Sequence, residues 1–194
     1  GYHALADTRR TWGIPNFWNV VSNFGFVVTG LVGLVELRRA ERASAVPAPD
    51  APALFLFFLG NVVVAFGSAF YHLAPSNDRL VWDRLPMTLA FVSFFTAIVC
   101  DRVSPRLGRA LLVPGLALGL ASVSLLWITE RLGHGDLRLY AFVQFFPLLA
   151  VPAMLLFFPP RFTRGAVLAG TLLLYGAAKL AETFDAPIYH ALGG

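Results

Sequence analysis

Ala53-Leu54-Phe55-Leu56-Phe57-Phe58-Leu59-Gly60-Asn61-Val62-Val63-Val64-Ala65-Phe66-Gly67-Ser68-Ala69-Phe70-Tyr71-His72-Leu73 runs the length of a bilayer without one Asp, Glu, Lys or Arg. About 20 apolar residues in a helix cross the ~30 Å hydrocarbon core. In lipid the backbone must satisfy its own hydrogen bonds, which a helix does and an irregular segment does not. Five further segments are comparable: residues 16–37, 83–99, 110–129, 139–158 and 166–184. The uncharged part of 83–99 is short, and 166–184 is interrupted by Lys179 and Glu182. Turn and breaker residues join the segments, as in Pro75-Ser76-Asn77-Asp78, Pro105, Gly133-His134-Gly135 and Pro159-Pro160. The expected fold is all-α: a polytopic transmembrane helical bundle forming one integral membrane domain over residues 1–194.

Composition points the same way. The 194 residues are 57% hydrophobic and 13% charged, with a mean hydropathy of +0.69, which excludes an ordinary soluble domain. All but one of the 15 basic residues are arginines, nearly all between apolar runs, so the net charge of +4 reads as loop arginines meeting lipid headgroups. Nucleic acid is not an expected partner, and no obligate protein partner is evident. Cys100 is the only cysteine; it allows no internal disulfide and no Cys-based metal site, and reads as an inert buried thiol.

Arg38, Arg39, Arg42, Arg102, Arg106, Arg109, Arg161 and Arg164 fall on one side of the alternating loops, against Arg9, Arg10, Arg79, Arg84, Arg131 and Arg138 on the other. That bias favours the first side as cytoplasmic and puts the amino terminus outside. The Ala- and Pro-rich stretch 41–52 reads as a flexible connection. No cleavable signal peptide is visible, and both ends, Gly1 and Gly194, look cut.

Three polar side chains stand out against this background. Ser68 and His72 are four apart and share a helix face; Asp83 follows past a polar turn, at the start of the next helix, where an antiparallel return brings it to the level of His72. Ionisable groups at membrane depth are costly, so they point to chemistry. An imidazole, a hydroxyl and a carboxylate converging in an apolar bundle are parts of a zinc-water hydrolase. The alternative is a histidine satisfied by a nearby hydroxyl and Asp83 paired with Arg84 at the membrane surface. His3, His134 and His190 read as solvated or interfacial. Asn19, Ser22 and Asn23 lie on nearby faces of the first helix, suited to packing or to site support. Lys179, three residues before Glu182 and six before Asp185, permits an intramembrane ion pair, either structural or supporting the site.

These residues resemble the alkaline ceramidase family, within a wider group of seven-helix membrane hydrolases that includes adiponectin and progestin receptor-like proteins. The resemblance rests on Trp12 with Asn16-Phe17-Trp18-Asn19-Val20-Val21-Ser22-Asn23, on Gly67-Ser68-Ala69-Phe70-Tyr71-His72, and on Asp83-Arg84-Leu85-Pro86-Met87. The segment Ala178-Lys179-Leu180-Ala181-Glu182-Thr183-Phe184-Asp185 is similar to the sixth helix of bacterial members, which implies a multi-pass protein of a bacterial inner membrane. The resemblance implies zinc held by His72 and by a His-x-x-x-His pair on a seventh helix, with Ser68 at the metal-bound water or oxyanion and Asp83 orienting or deprotonating that water. It further implies hydrolysis of the amide of ceramide or a related N-acyl lipid to a long-chain base and a fatty acid, with membrane lipids as the partners.

No His-x-x-x-His occurs in the chain. The expectation is therefore a fragment with six of seven membrane helices and one of three zinc ligands, inactive as it stands. Calcium is not expected, because Asn16 stands where the family's animal members imply an acid and Asp7 is isolated. Two other functions stay open: a non-catalytic lipid-binding or receptor-like bundle, and a small-solute or proton transporter suggested by Lys179, Glu182 and Asp185.

Overall fold

A computed structural model describes residues 3, 5–46, 50–161 and 165–191. Among these, eight helices follow one another: α1 (Phe17–Val21), α2 (Phe24–Arg42), α3 (Ala51–Leu73), α4 (Asn77–Arg102), α5 (Pro105–Arg131), α6 (Arg138–Phe157), α7 (Gly165–Thr183) and α8 (Asp185–Ala191). Six spans are long and apolar enough to cross a membrane, the first being α1 and α2 together. No strand occurs among the described residues; Thr11 and Ile14 form a lone bridge.

The helix boundaries differ from the sequence expectation where polar side chains act locally. The first span is broken at residues 22–23, where the Ser22 hydroxyl and the Asn23 amide donate to the Asn19 carbonyl at 3.3 and 2.7 Å. Such back-bonding competes with the helix's own ladder. The helix expected at 83–99 is longer at both ends. It begins at Asn77 because the Ser76 hydroxyl caps it, accepting from the Arg79 amide at 3.3 Å. Asp83 therefore sits in the second turn and not at the helix start. At the far end Asp101 and Arg102 extend α4 by pairing with each other at 3.0 Å.

α4 is the central element, with 56% of its most apolar stretch buried, whereas α7 lies at the periphery and buries Leu168 against Ile98, Val99, Val151 and Met154. α3 lies along α4 on one side, while α5 and α6 flank it on others. The approach of α3 to α4 is tight. A Cβ on Gly67 would collide with the carbonyl oxygen of Trp82, so only glycine allows the Ser68–His72 turn to lie against the Asp83 turn.

The end of the bundle where α4 finishes is clamped by buried charge. Asp101 is completely buried and Arg102 nearly so. The Arg161 amide donates to Asp101 Oδ1 at 3.1 Å, the Arg161 guanidinium to the Cys100 carbonyl at 3.2 Å, and Arg102 to the Phe158 carbonyl at 3.3 Å. Arg102 and Arg161 thus bind protein carbonyls and a carboxylate, where the composition alone suggested lipid headgroups. Arg164 lies outside the described residues. Stretch 41–52 is also more than a flexible connection: α2 runs to Arg42, Asp50 at its other end is fully buried, and residues 47–49 lie outside the description. Cys100 is buried, as read, with its thiol 3.9 Å from the Pro105 carbonyl.

Neither carboxyl oxygen of Asp50 has a hydrogen-bond partner. Burial, foremost, raises its pKa above the ordinary 3.8; the neighbouring Cys100 thiol, Arg161 and Arg109 oppose the rise and Asp101 adds to it.

Two stability predictions follow from this packing. Gly67→Ala lowers the unfolding midpoint in detergent, with a cost of about 1–3 kcal/mol from overpacking, while Gly170→Ala, which has open space around it, leaves it unchanged or raises it. A group whose folded pKa is raised stabilises fully below its unfolded value and loses that contribution as pH climbs through the folded value. Asp50→Asn is therefore at least as stable as the parent at pH 7, and its thermal midpoint falls less than the parent's as pH rises from below 3.8.

Candidate functional site

At the end of the bundle where α3 turns into α4, a cavity of about 620 Å³ gathers side chains from distant parts of the chain. Ser68 and His72 come from α3, Asp83 and Arg84 from α4, Asn19 and Asn23 from the first span, and Glu182 and Asp185 from the junction of α7 and α8. The local cause is the register of two helices. Ser68 and His72 lie one turn apart on α3, Pro75 and the Ser76 cap reverse the chain, and the Gly67 contact sets the depth at which Asp83 faces them.

Ser68 and Asp83 are buried and His72 is half-buried. His72 Nδ1 is buried without a hydrogen-bond partner, so the alternative of a histidine satisfied by a hydroxyl does not describe that nitrogen. Asp83 Oδ2 is 3.5 Å from Arg84 Nε; the Asp83–Arg84 contact is made, on the wall of the cavity.

The segment before α1 closes one side of the cavity, with Leu5 and Ala6 on its wall. It is tied down by polar bonds. Asn16 donates its amide to the His72 carbonyl at 2.8 Å, and Asn19 does the same to the Asp7 carbonyl at 2.8 Å. His3, read from the sequence as solvated or interfacial, contacts the Tyr71 hydroxyl at 3.0 Å and the Asn77 side chain. Asp185 Oδ2 accepts from the Ala6 amide at 3.4 Å. Arg9 pairs with Asp7 at 2.7 Å and holds that carboxyl below its ordinary pKa. Trp12 and Gly13, both at positive φ, make the turn bridging Thr11 and Ile14.

A second, apolar cavity of about 410 Å³ adjoins the first. Phe57, Phe91, Phe94 and Leu172 are among its walls, and Phe26, Val64, Met87 and Glu182 line both cavities. Gln144 donates to the Tyr175 hydroxyl at 2.9 Å within it. A polar chamber beside an apolar one suits an amphiphile with a polar group at the end of a hydrocarbon chain.

Of the residues singled out from sequence, Ser68, His72, Asp83, Asn19, Glu182 and Asp185 share the polar cavity. Lys179 pairs with Glu182 at 2.6 Å but lines the apolar cavity. Ser22 lines neither and bonds only to its own helix. His134 is exposed, and His190 stands exposed on α8. The sequence reading missed Arg84 as a cavity residue, counting it among headgroup arginines, and missed Tyr71 on the same wall. The signal was there for Arg84: it directly follows an aspartate in an apolar helix.

For zinc, the orphaned His72 nitrogen fits a single ligand position. Among the described residues no three His, Cys, Asp or Glu side chains converge, whereas zinc sites take three or four protein ligands. These residues alone do not complete a zinc site.

The family model described as Ceramidase matches residues 9–156. That match holds the first span, the Ser68–His72 turn and Asp83, and stops short of Lys179, Glu182 and Asp185. No curated protein and no solved structure matches the chain.

The strap geometry makes one prediction. Asn16→Ala removes the bond to the His72 carbonyl, lowers stability by about 1 kcal/mol, and speeds proteolysis within residues 5–16 in detergent, a change that limited digestion followed by mass spectrometry detects.

Proposed function

The chain belongs to the ceramidase family, hydrolases of a membrane lipid amide, and from that premise we propose that it cleaves ceramide or a related N-acyl lipid by water attack in the polar cavity. The observation that carries the reading is the meeting of Ser68, His72 and Asp83 in one chamber that shares lining residues with an apolar one. The acyl chain lies in the apolar cavity, and the amide carbonyl sits among the three polar side chains.

Each group has a task its chemistry allows. Asp83 accepts a proton from the attacking water and returns it to the leaving nitrogen as the C–N bond breaks and a C–O bond forms. Ser68 donates its hydroxyl to the carbonyl oxygen as negative charge develops there. His72 offers its unpartnered nitrogen as one ligand to zinc; bound there, zinc would polarise the carbonyl and acidify water. Asn16 holds the backbone of His72 from the strap. Glu182 and Asp185, at the wall formed by α7 and α8, suit the amine of the released base by charge.

A second reading is a lipid-binding bundle without turnover. It is favoured by the single imidazole in the cavity and the lack of a three-donor group among the described residues.

Release of long-chain base from ceramide by the purified protein in detergent decides between them. Hydrolysis is expected, with kcat/KM reduced about 100-fold or more by Asp83→Asn and by a comparable factor on Ser68→Ala. A zinc chelator abolishes it, added zinc restores it, and His72→Ala is not restored. Tight ceramide binding with no product released establishes the second reading, and full activity in Asp83→Asn removes Asp83 from the reaction.

A further inference from the structure

Arg84 lines the polar cavity, yet the scheme above gives it nothing to do. Its side chain is mostly buried, at 19% exposure. A guanidinium carries five N–H donors, and those of Arg84 are poorly used. The nearest Asp83 oxygen is 3.5 Å from Nε, and that nitrogen is buried without a hydrogen-bond acceptor. One terminal nitrogen is 3.4 Å from the Tyr140 hydroxyl and 4.0 Å from Met87 Sδ, and the guanidinium carbon is 5.3 Å from the centre of the Tyr140 ring. Charge-assisted hydrogen bonds run to about 2.7–2.9 Å; Arg131 meets Asp78 at 2.9 Å in this same chain. A buried cation with only long contacts, on a cavity wall, is set up to receive an anion.

Its place in the molecule says which anion. Met87, one helical turn beyond Asp83 on α4, lines both the polar and the apolar cavity. A group held at Arg84 is therefore at the point where a hydrocarbon chain leaves the apolar cavity. Amide cleavage converts a neutral carbonyl into a carboxylate at the end of such a chain. Asp83, Glu182 and Asp185 line the same chamber, and their charge disfavours a phosphate dianion more than a carboxylate monoanion.

Resting on the proposed hydrolysis, we propose that Arg84 is the binding site for the long-chain carboxylate that the reaction releases. The site selects a fatty acid over a neutral amphiphile of the same length and holds the product before it leaves to the bilayer. This makes Arg84 a determinant of product release and of inhibition by free fatty acid.

The test is equilibrium binding of palmitate, hexadecanol and hexadecyl phosphate to the protein in neutral detergent, for the parent, Arg84→Gln and Arg84→Lys. The parent binds palmitate roughly 10- to 100-fold more tightly than hexadecanol, the range for a hydrogen bond to a charged group. Arg84→Gln loses that preference while binding hexadecanol as the parent does, which shows the cavity intact; Arg84→Lys retains part of it. Equal binding of acid and alcohol by the parent overturns the proposal, as does a preference that survives in Arg84→Gln, or a phosphate bound more tightly than the carboxylate. Binding is read without turnover, so the two ideas fail separately. An Arg84-dependent preference for the acid in a protein that never cleaves ceramide defeats the hydrolase reading and leaves this site standing, while cleavage without the preference does the reverse.

Discussion

The contact between Gly67 and the Trp82 carbonyl governs the rest of the structure. Two helices that touch backbone to backbone fix each other's depth and rotation more firmly than helices held apart by long side chains. Here that contact sits one residue before Ser68 on α3 and one before Asp83 on α4. The polar residues are thus brought together by a packing constraint that is itself apolar. In lipid, where no hydrophobic effect drives helices together, close approach through small residues is one of the few sources of such precision.

Much of this was legible in the chain. Long apolar runs separated by Pro, Gly and polar turns specify a helical bundle by length and hydropathy alone, and the four-residue spacing of Ser68 and His72 puts them on one face whatever the tertiary structure. What the sequence hid were consequences of local polar bonding and of burial. Ser22 and Asn23 break the first span because their side chains take helix carbonyls, and the Ser76 cap starts α4 ahead of its apolar part. Arg84 and Arg102 looked like headgroup residues because arginine is costly in lipid, a cost they avoid by facing protein. Only the fold reveals that Asn16 and Asn19, the latter read as a packing amide or site support, tie down the segment before α1 over the cavity.

The two ends of the bundle use buried charge differently. At the end of α4, the carboxylate of Asp101 and the guanidinium of Arg102 are closely paired, and Arg161 and the Phe158 carbonyl complete a clamp on the connection after α6. At the other end His72 Nδ1 and Arg84 Nε are left without acceptor or donor partners in a chamber. Unsatisfied buried groups cost stability, and a site that binds a polar reactant recovers that cost when the reactant arrives. The first end is not free of such groups, since the buried carboxyl of Asp50 lies near Asp101 and Arg161 without a hydrogen-bond partner; at the other end the unpartnered groups line a cavity.

The central claim is that the amide of an N-acyl lipid sits between the Ser68–His72 turn and Asp83, with its acyl chain in the adjoining apolar cavity. Photo-crosslinking with two ceramide analogues tests it most directly, one with a diazirine beside the amide carbonyl and one with the diazirine at the end of the acyl chain. The account predicts crosslinks from the first to residues of the polar cavity such as Ser68, Asp83 and Met87, and from the second to Phe91, Phe94 or Leu172. Crosslinks from both probes confined to the lipid-facing groove of Phe66, Phe70 and Trp82 would contradict it.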